Sequence, residues 1–147
     1  MIIFARVTTD TVMGGRSSGT LTRETVQGRE ARRLRGSVSL ENNGGFIQMA
    51  ADVLEASNFT GIEFSATGNS ETYNIHLRTS DLTRPWQSYR QSFIAGPDWE
   101  THRIPFTDFA PHRTDAPLEL SKLRRIGIIA IGREMEADVS VAHVRFY

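Results

Sequence analysis

Apolar and polar residues alternate along most of this chain, in short runs that recur roughly every 10 to 15 residues. A period of two puts successive side chains on opposite faces of an extended strand, so each run predicts a half-buried β-strand. Within residues 61–66, Ile62 and Phe64 point one way while Glu63 and Ser65 point the other. Tyr73, Ile75 and Leu77 form an apolar face opposite Asn74, His76 and Arg78, and in the next run Tyr89, Gln91 and Phe93 share a face. Residues 126–131 are apolar on both faces apart from Gly127, the pattern of a central strand covered on both sides. Val139 and Val141 give way to Val144 and Phe146, a phase slip that predicts a bulge near His143.

Turn signals separate the runs. Residues 41–45 read Glu-Asn-Asn-Gly-Gly, and segments 66–70 and 95–98 are similarly rich in Gly, Asn and Pro, residues suited to tight turns. Helical periodicity is confined to residues 118–125, where one or two turns are expected with Ser121 in a capping position. About ten strands and almost no helix predict an all-β fold, a jelly-roll β-sandwich. No repeat or linker divides the sequence, so one domain over residues 1–147 is expected. A chain of that length buries roughly two-thirds of the surface of its unfolded form and needs no disulfide to fold.

Composition narrows the function classes. The longest apolar run, residues 126–132, is far shorter than the roughly 20 residues of a membrane-spanning helix, so no transmembrane segment is expected. The opening residues show neither a secretory nor a transit pattern, which leads to the expectation of a cytoplasmic protein. With no cysteine there is no thiol catalysis and no zinc–thiolate site. Seventeen basic residues balance seventeen acidic ones, which argues against nucleic acid as a partner. Among the basic residues only Lys122 is lysine. The cluster Arg29, Arg32, Arg33 and Arg35 reads either as an anion patch or as the solvated face of an edge strand.

Three arrangements carry candidate chemistry. The run Gly15-Arg16-Ser17-Ser18-Gly19 matches the G-x-S-x-G elbow of serine hydrolases, but a strand rather than a helix is expected after it. It reads better as a glycine-rich structural turn whose hydroxyl side chains cap its own backbone groups, with a weak anion site formed by its N–H groups, serines and Arg16 as the lesser alternative. His76, His102, His112 and His143 are scattered, with no carboxylate at metal-ligand spacing, so no metal and no cofactor are expected. Asn74, His76 and Arg78 share a strand face, with Trp86 and Gln87 in the following loop. Polar, planar and aromatic groups together suit a carbohydrate or peptide groove, although alternation alone also produces an ordinary solvated face.

Several segments are more specific. Residues 10–19, Asp-Thr-Val-Met-Gly-Gly-Arg-Ser-Ser-Gly, resemble the opening signature of the complex I intermediate-associated protein 30 family. Residues 39–46, Ser-Leu-Glu-Asn-Asn-Gly-Gly-Phe, resemble its second signature. Residues 76–79 with 88–93 resemble the third block, residues 99–111 the fourth, and residues 125–128 the strand near the end. Phe4 and Thr9 stand where relatives tend to have Trp and Asn, and the 112–120 segment is short, with Arg113 retained.

The resemblance implies a galactose-binding-domain-like sandwich, a fold group that includes carbohydrate-binding modules. It also implies chaperone-like assembly factors that bind protein intermediates of respiratory complex I. On that basis the chain is expected to be a non-enzymatic protein-binding domain, with a membrane-complex assembly intermediate as partner. The alternative is a carbohydrate-binding module that takes a glycan on the same face. The expected binding residues are Asp10, Arg16, Ser17, Asn42 and Asn43 in two rim loops, and His76, Arg78, Trp86, Tyr89 and Gln91 on the adjoining face. No catalytic residue is expected. A hydrolase built on Ser17 or Ser18 requires a histidine within about 3 Å of the hydroxyl.

Overall fold

A computed structural model of the protein describes residues 2–43 and 45–147, with the side chains of Met13 and Asn43 outside that description. Its strands are β1 (Arg6–Thr9), β2 (Ser18–Val26), β3 (Arg29–Val38), β4 (Phe46–Asp52), β5 (Gly61–Gly68), β6 (Thr72–Thr79), β7 (Ser88–Ile94), β8 (Glu100–Pro105), β9 (Ala110–His112), β10 (Leu123–Ile131) and β11 (Met135–Phe146). One sheet has the order β1-β4-β10-β6-β7-β9 and the other β2-β3-β11-β5-β8, and the paired strands run antiparallel. The chain crosses repeatedly from one sheet to the other, the connectivity of a jelly roll.

The alternation seen in the sequence decides which faces meet. Ile47 and Met49 of β4, Ile75 and Leu77 of β6, and Ile126 and Ile128 of β10 point inward from the six-stranded sheet. Leu34 of β3, Ile62 and Phe64 of β5, and Val139 and Val141 of β11 meet them from the other sheet. Fully burying a side chain of this size contributes about 1.5–3 kcal/mol, so the packed interface between sheets is the main stabilising term. Gln27 and Gly28 take φ values of 45° and 80° in the tight β2–β3 turn, matching the twist of the strands it joins. The bulge expected near His143 is present. The β11–β5 register shifts between Ala142 and Arg145, and His143 has φ 53°.

Three expectations need correcting. Residues 118–125 make only a single 3-10 turn at Leu120–Lys122, and Ser121 lies inside it rather than capping it. Leu118 and Leu120 both pack against the core two residues apart, which favours extended chain up to that point. The arginine-rich β3 is not an edge strand, because β2 covers it. Strand β10 is central, but its outer face is not covered by another layer; Gly127, Ile129 and Ile131 help to line a groove. No helix among the described residues is long and apolar enough to cross a membrane.

Candidate ligand groove on the outer face of one sheet

The outer face of the six-stranded sheet carries an open groove of about 630 Å³. Strand register grades it along its length. At one end Ile131 lies opposite Phe46, with Val12 also lining the wall. In the middle Ile129 lies opposite Gln48, and Gly127 is flanked by Ala50 and His76. At the other end Arg125 lies between Asp52 and Arg78, while Arg90 sits beside His76. Residues 125 to 131 of an extended strand span about 20 Å, so the groove runs from an apolar end to a basic one over that distance. Gly127 keeps the middle open: a Cβ there would lie 2.4 Å from Gln48 Oε1.

The basic end is electrostatically unusual. His76 is only 8% exposed and its Nε2 has no hydrogen-bond partner among the described residues. Burial, reinforced by the neighbouring Arg90, His112 and Arg78, pushes its pKa down to about 3, so the imidazole is neutral. Arg90 Nε donates to Ser88 Oγ at 2.8 Å, and Arg125 Nε is buried with no partner among the described residues. Desolvation lowers the pKa of Arg78, Arg90 and Arg125 from the ordinary guanidinium value. No ion pair among the described residues involves any of the three. Asp52, the carboxylate nearest Arg125 across the strands, is taken by Arg6 through contacts of 2.5 and 2.9 Å.

Arg78 and Trp86 both line this groove. Arg78 Nη1 donates to the carbonyls of Arg84, Pro85 and Gln87, which fastens the β6–β7 loop and holds Trp86, 55% exposed, at the rim. The Arg84 guanidinium lies 6.0 Å from the Trp86 ring centre. Tyr89 and Gln91 are not brought there. They share the inward phase of β7 with Phe93; Tyr89 is 1% exposed, and its hydroxyl donates to the carbonyls of Ala116 and Pro117. Gln91 donates to the Asp108 carbonyl at 2.8 Å. Both hold loops in place, because an even spacing from Phe93 puts them on the core side of the sheet.

The rim loops are built around Asp10, which is fully buried. Its carboxylate accepts from the Ser17 N–H at 2.9 Å, the Ser17 hydroxyl at 2.5 Å, and the N–H groups of Gly45 at 2.5 Å and Phe46 at 3.2 Å. Burial works to raise this carboxyl's pKa, but the Ser17 hydroxyl and the three N–H donors outweigh it and hold the pKa below the ordinary value. The anion cradled by the glycine-rich turn is therefore the chain's own Asp10. Gly15 is required beside it, since a Cβ would lie 2.4 Å from Asp10 Cγ. Ser17 Oγ also bonds the backbone of Ser39, and neither partner is a histidine, so the elbow motif forms a corner. Arg16 is exposed on that corner. Asn42 supplies a left-handed turn at φ 56° with its side chain in solvent, while the side chain of Asn43 lies outside the described residues.

Arg90, Arg125, Gln48 and Phe46 line the groove but do not stand out in the sequence. A signal for Arg90 was present: it occupies the polar phase of β7, opposite to Tyr89 and Phe93. Arg125 and Gln48 become neighbours of His76 only through the non-sequential pairing of β4, β10 and β6.

Two antiparallel sheets in jelly-roll connection, with an open groove across one of them, define a jelly-roll β-sandwich. Solved carbohydrate-binding modules share this fold. A family 11 module from Clostridium thermocellum, solved with a β-1,3-1,4-mixed-linked tetrasaccharide, is similar with a TM-score of 0.74 and 10% identity, over 88% of this chain and 82% of that one. A family 30 carbohydrate-binding module gives a TM-score of 0.71 and 14% identity, over 99% of this chain and 83% of that one. At such identities the likeness is one of fold. The chain itself belongs to the complex I intermediate-associated protein 30 family, whose model matches residues 4–141. No curated protein matches the sequence.

Proposed function

We propose that this chain is a non-catalytic binding domain that holds an extended segment of a protein partner in the groove, in the manner of a chaperone-like assembly factor for a membrane complex. The observation that carries this reading is the make-up of the groove, which combines hydrogen-bonding and cationic side chains with a single well-exposed ring, Trp86. Neutral sugar chains are held largely by stacking on flat aromatic surfaces, and a lone rim tryptophan supplies little of that. A groove of about 20 Å accommodates roughly six residues of extended peptide. Backbone carbonyls and side chains of such a segment match the guanidinium and amide donors of the floor. Membership of the family supports the assembly context.

A carbohydrate ligand is the second reading, favoured by the similar module solved with a tetrasaccharide. The two are separated by placing a photoreactive benzophenone residue at position 86 and, as a control, at Thr20 on the opposite sheet. Irradiation in native extract should give protein adducts, among them subunits of a respiratory complex, from position 86 and not from position 20. Equal adducts from both positions would remove the groove from consideration. Absence of protein adducts from position 86, together with binding on a glycan array that Trp86→Ala abolishes, would establish the carbohydrate reading instead.

A further inference from the structure

The composition of the chain is balanced, but the groove is not. Its lining contains Arg78, Arg90 and Arg125 and no aspartate or glutamate. Some exposed arginines of this protein find carboxylates, as Arg6 does with Asp52, Arg23 with Glu30, Arg133 with Glu71, and Arg145 with Glu63. Others, such as Arg16 and Arg113, stand in solvent; the three groove arginines are instead partly desolvated. Three partly desolvated guanidinium groups lie together with no ion pair of their own, since Asp52 acts on Arg125 only from a distance while bonded to Arg6. This is unfavourable to the folded chain alone, and the cost falls when an anion binds between them. His76 adds a second, independent sign. It lines the same groove, is more than nine-tenths buried, and its enclosed Nε2 has no hydrogen-bond partner among the described residues, an unsatisfied polar atom that a small shift of the ring would open to a groove ligand.

We infer that the partner segment is acidic where it meets the Arg125–His76–Arg90 end of the groove and apolar where it meets Phe46 and Ile131, about 20 Å away. This rests on the reading of the groove as a protein-binding site and specifies which proteins qualify. Carboxylates of the segment take the place between the arginines that Asp52 cannot fill, since Arg6 engages both of its oxygens. Guanidinium groups suit this role because their planar donors match a carboxylate two bonds at a time. The neutral His76 adds no charge, which limits repulsion among the three cations. At the far end the half-buried Phe46 and Ile131, with exposed Val12, offer an apolar surface to one hydrophobic side chain. The order apolar-spacer-acidic therefore sets both the identity and the register of the segment.

The test uses the ¹⁵N-labelled protein and three probes of similar length: an N-acetylated, C-amidated Phe-Ser-Gly-Ser-Glu-Glu peptide, the same peptide ending in Lys-Lys, and a galacturonate oligomer. The acidic peptide should shift the backbone signals of Phe46 and Ile131 together with those of His76, Arg90 and Arg125. Its affinity should drop at least about tenfold in the Arg90→Gln/Arg125→Gln variant and fall as salt is raised. An unchanged dispersion of amide signals establishes that the variant is folded. Equal binding of the Lys-Lys peptide in the groove would leave the protein-binding reading intact and overturn the acidic preference. Stronger binding of galacturonate at the same residues would assign the anion site to a polysaccharide and overturn the peptide assignment. Acidic-peptide binding that the double variant does not weaken would place it outside this site and overturn the inference as well. If neither peptide perturbs the groove, and position 86 gives no protein adduct, both readings fall together.

Discussion

Both sheets present arginines to solvent, but on different terms. On the five-stranded sheet Arg33 is held by Asp138 through two contacts of 2.8 Å and by Glu24 through a third of 2.8 Å, and Arg145 lies 2.6 Å from Glu63. Burial there works against the Arg33 charge, but the hydrogen bonds that it donates to Asp138 and Glu24 dominate and raise its pKa. On the six-stranded sheet Arg78, Arg90 and Arg125 meet desolvation that no ion pair offsets, and their pKa values move down; the Coulombic pull of Asp52 on Arg125 does not reverse this. On one face the partly buried Arg33 is neutralised by carboxylates of its own sheet. On the other, three partly buried arginines bond only to neutral groups, Arg78 to loop carbonyls and Arg90 to Ser88, or to none. A formal net charge of zero conceals this difference, because it sums over both faces.

The largest expected effect comes from breaking the joint between the two sheets. Asp10, immediately after β1, holds the N–H groups at the start of β2 and β4. Asp10→Ala leaves three backbone donors without their acceptor and should lower stability by about 3 kcal/mol or more in urea unfolding. A loss below about 1 kcal/mol would mean that water replaces the carboxylate and that the corner is not a structural joint.

Proton uptake distinguishes the groove next. His76 remains neutral in the folded protein down to about pH 3, whereas in the unfolded chain it takes up a proton near 6.5. Its contribution to stability is therefore complete above pH 6.5 and is lost progressively as pH falls toward 3. Between pH 7 and 5 the loss from this one group should be about 1–2 kcal/mol, and His76→Gln should flatten the stability profile by that amount. An identical slope in the variant would show that His76 is more accessible to water than its packing indicates.

Neutralising single arginines sharpens the contrast between the faces. Arg33→Gln should cost about 1–2 kcal/mol, because it leaves Asp138 without its ion pair in a partly buried setting, while Glu24 keeps Thr22 and Arg35. Arg125→Gln should be neutral or slightly stabilising, since it removes a charge whose desolvation outweighs its Coulombic attraction to Asp52. Equal losses at both positions would contradict the difference drawn between the sheets. The smallest effect on stability belongs to Trp86→Ala, within about 0.5 kcal/mol for an exposed rim residue. The same change should weaken ligand binding by roughly tenfold, as expected for an aromatic contact residue.

Much of the fold was legible because a strand's side chains report their faces directly. The inward sets Ile62–Phe64 and Tyr73–Ile75–Leu77, the bulge at His143 and the turn at Asn42 all follow from local periodicity or backbone preference. The same rule places Tyr89 inside with Phe93, and a functional reading of its ring and hydroxyl ran against that pattern. His76, Arg78 and Trp86 were legible as parts of one face because β6 and its following loop are local in sequence. Ser17 and Asp10 were legible as a motif, but not as a closed corner, because Gly45 and Phe46 reach them from more than thirty residues away.

The sequence by itself determined the class of fold, the family and the polarity of each strand face, since these depend on a two-residue period and on local turn chemistry. Only the tertiary structure decided that Arg125, Gln48 and Phe46 join His76 and Arg90 around one groove, because sheet order brings together strands that are distant in the chain. It also decided which arginines keep their charge for a ligand. Neutralisation depends on whether a carboxylate lies within a few ångströms across the strands, and neither composition nor spacing along the chain contains that distance.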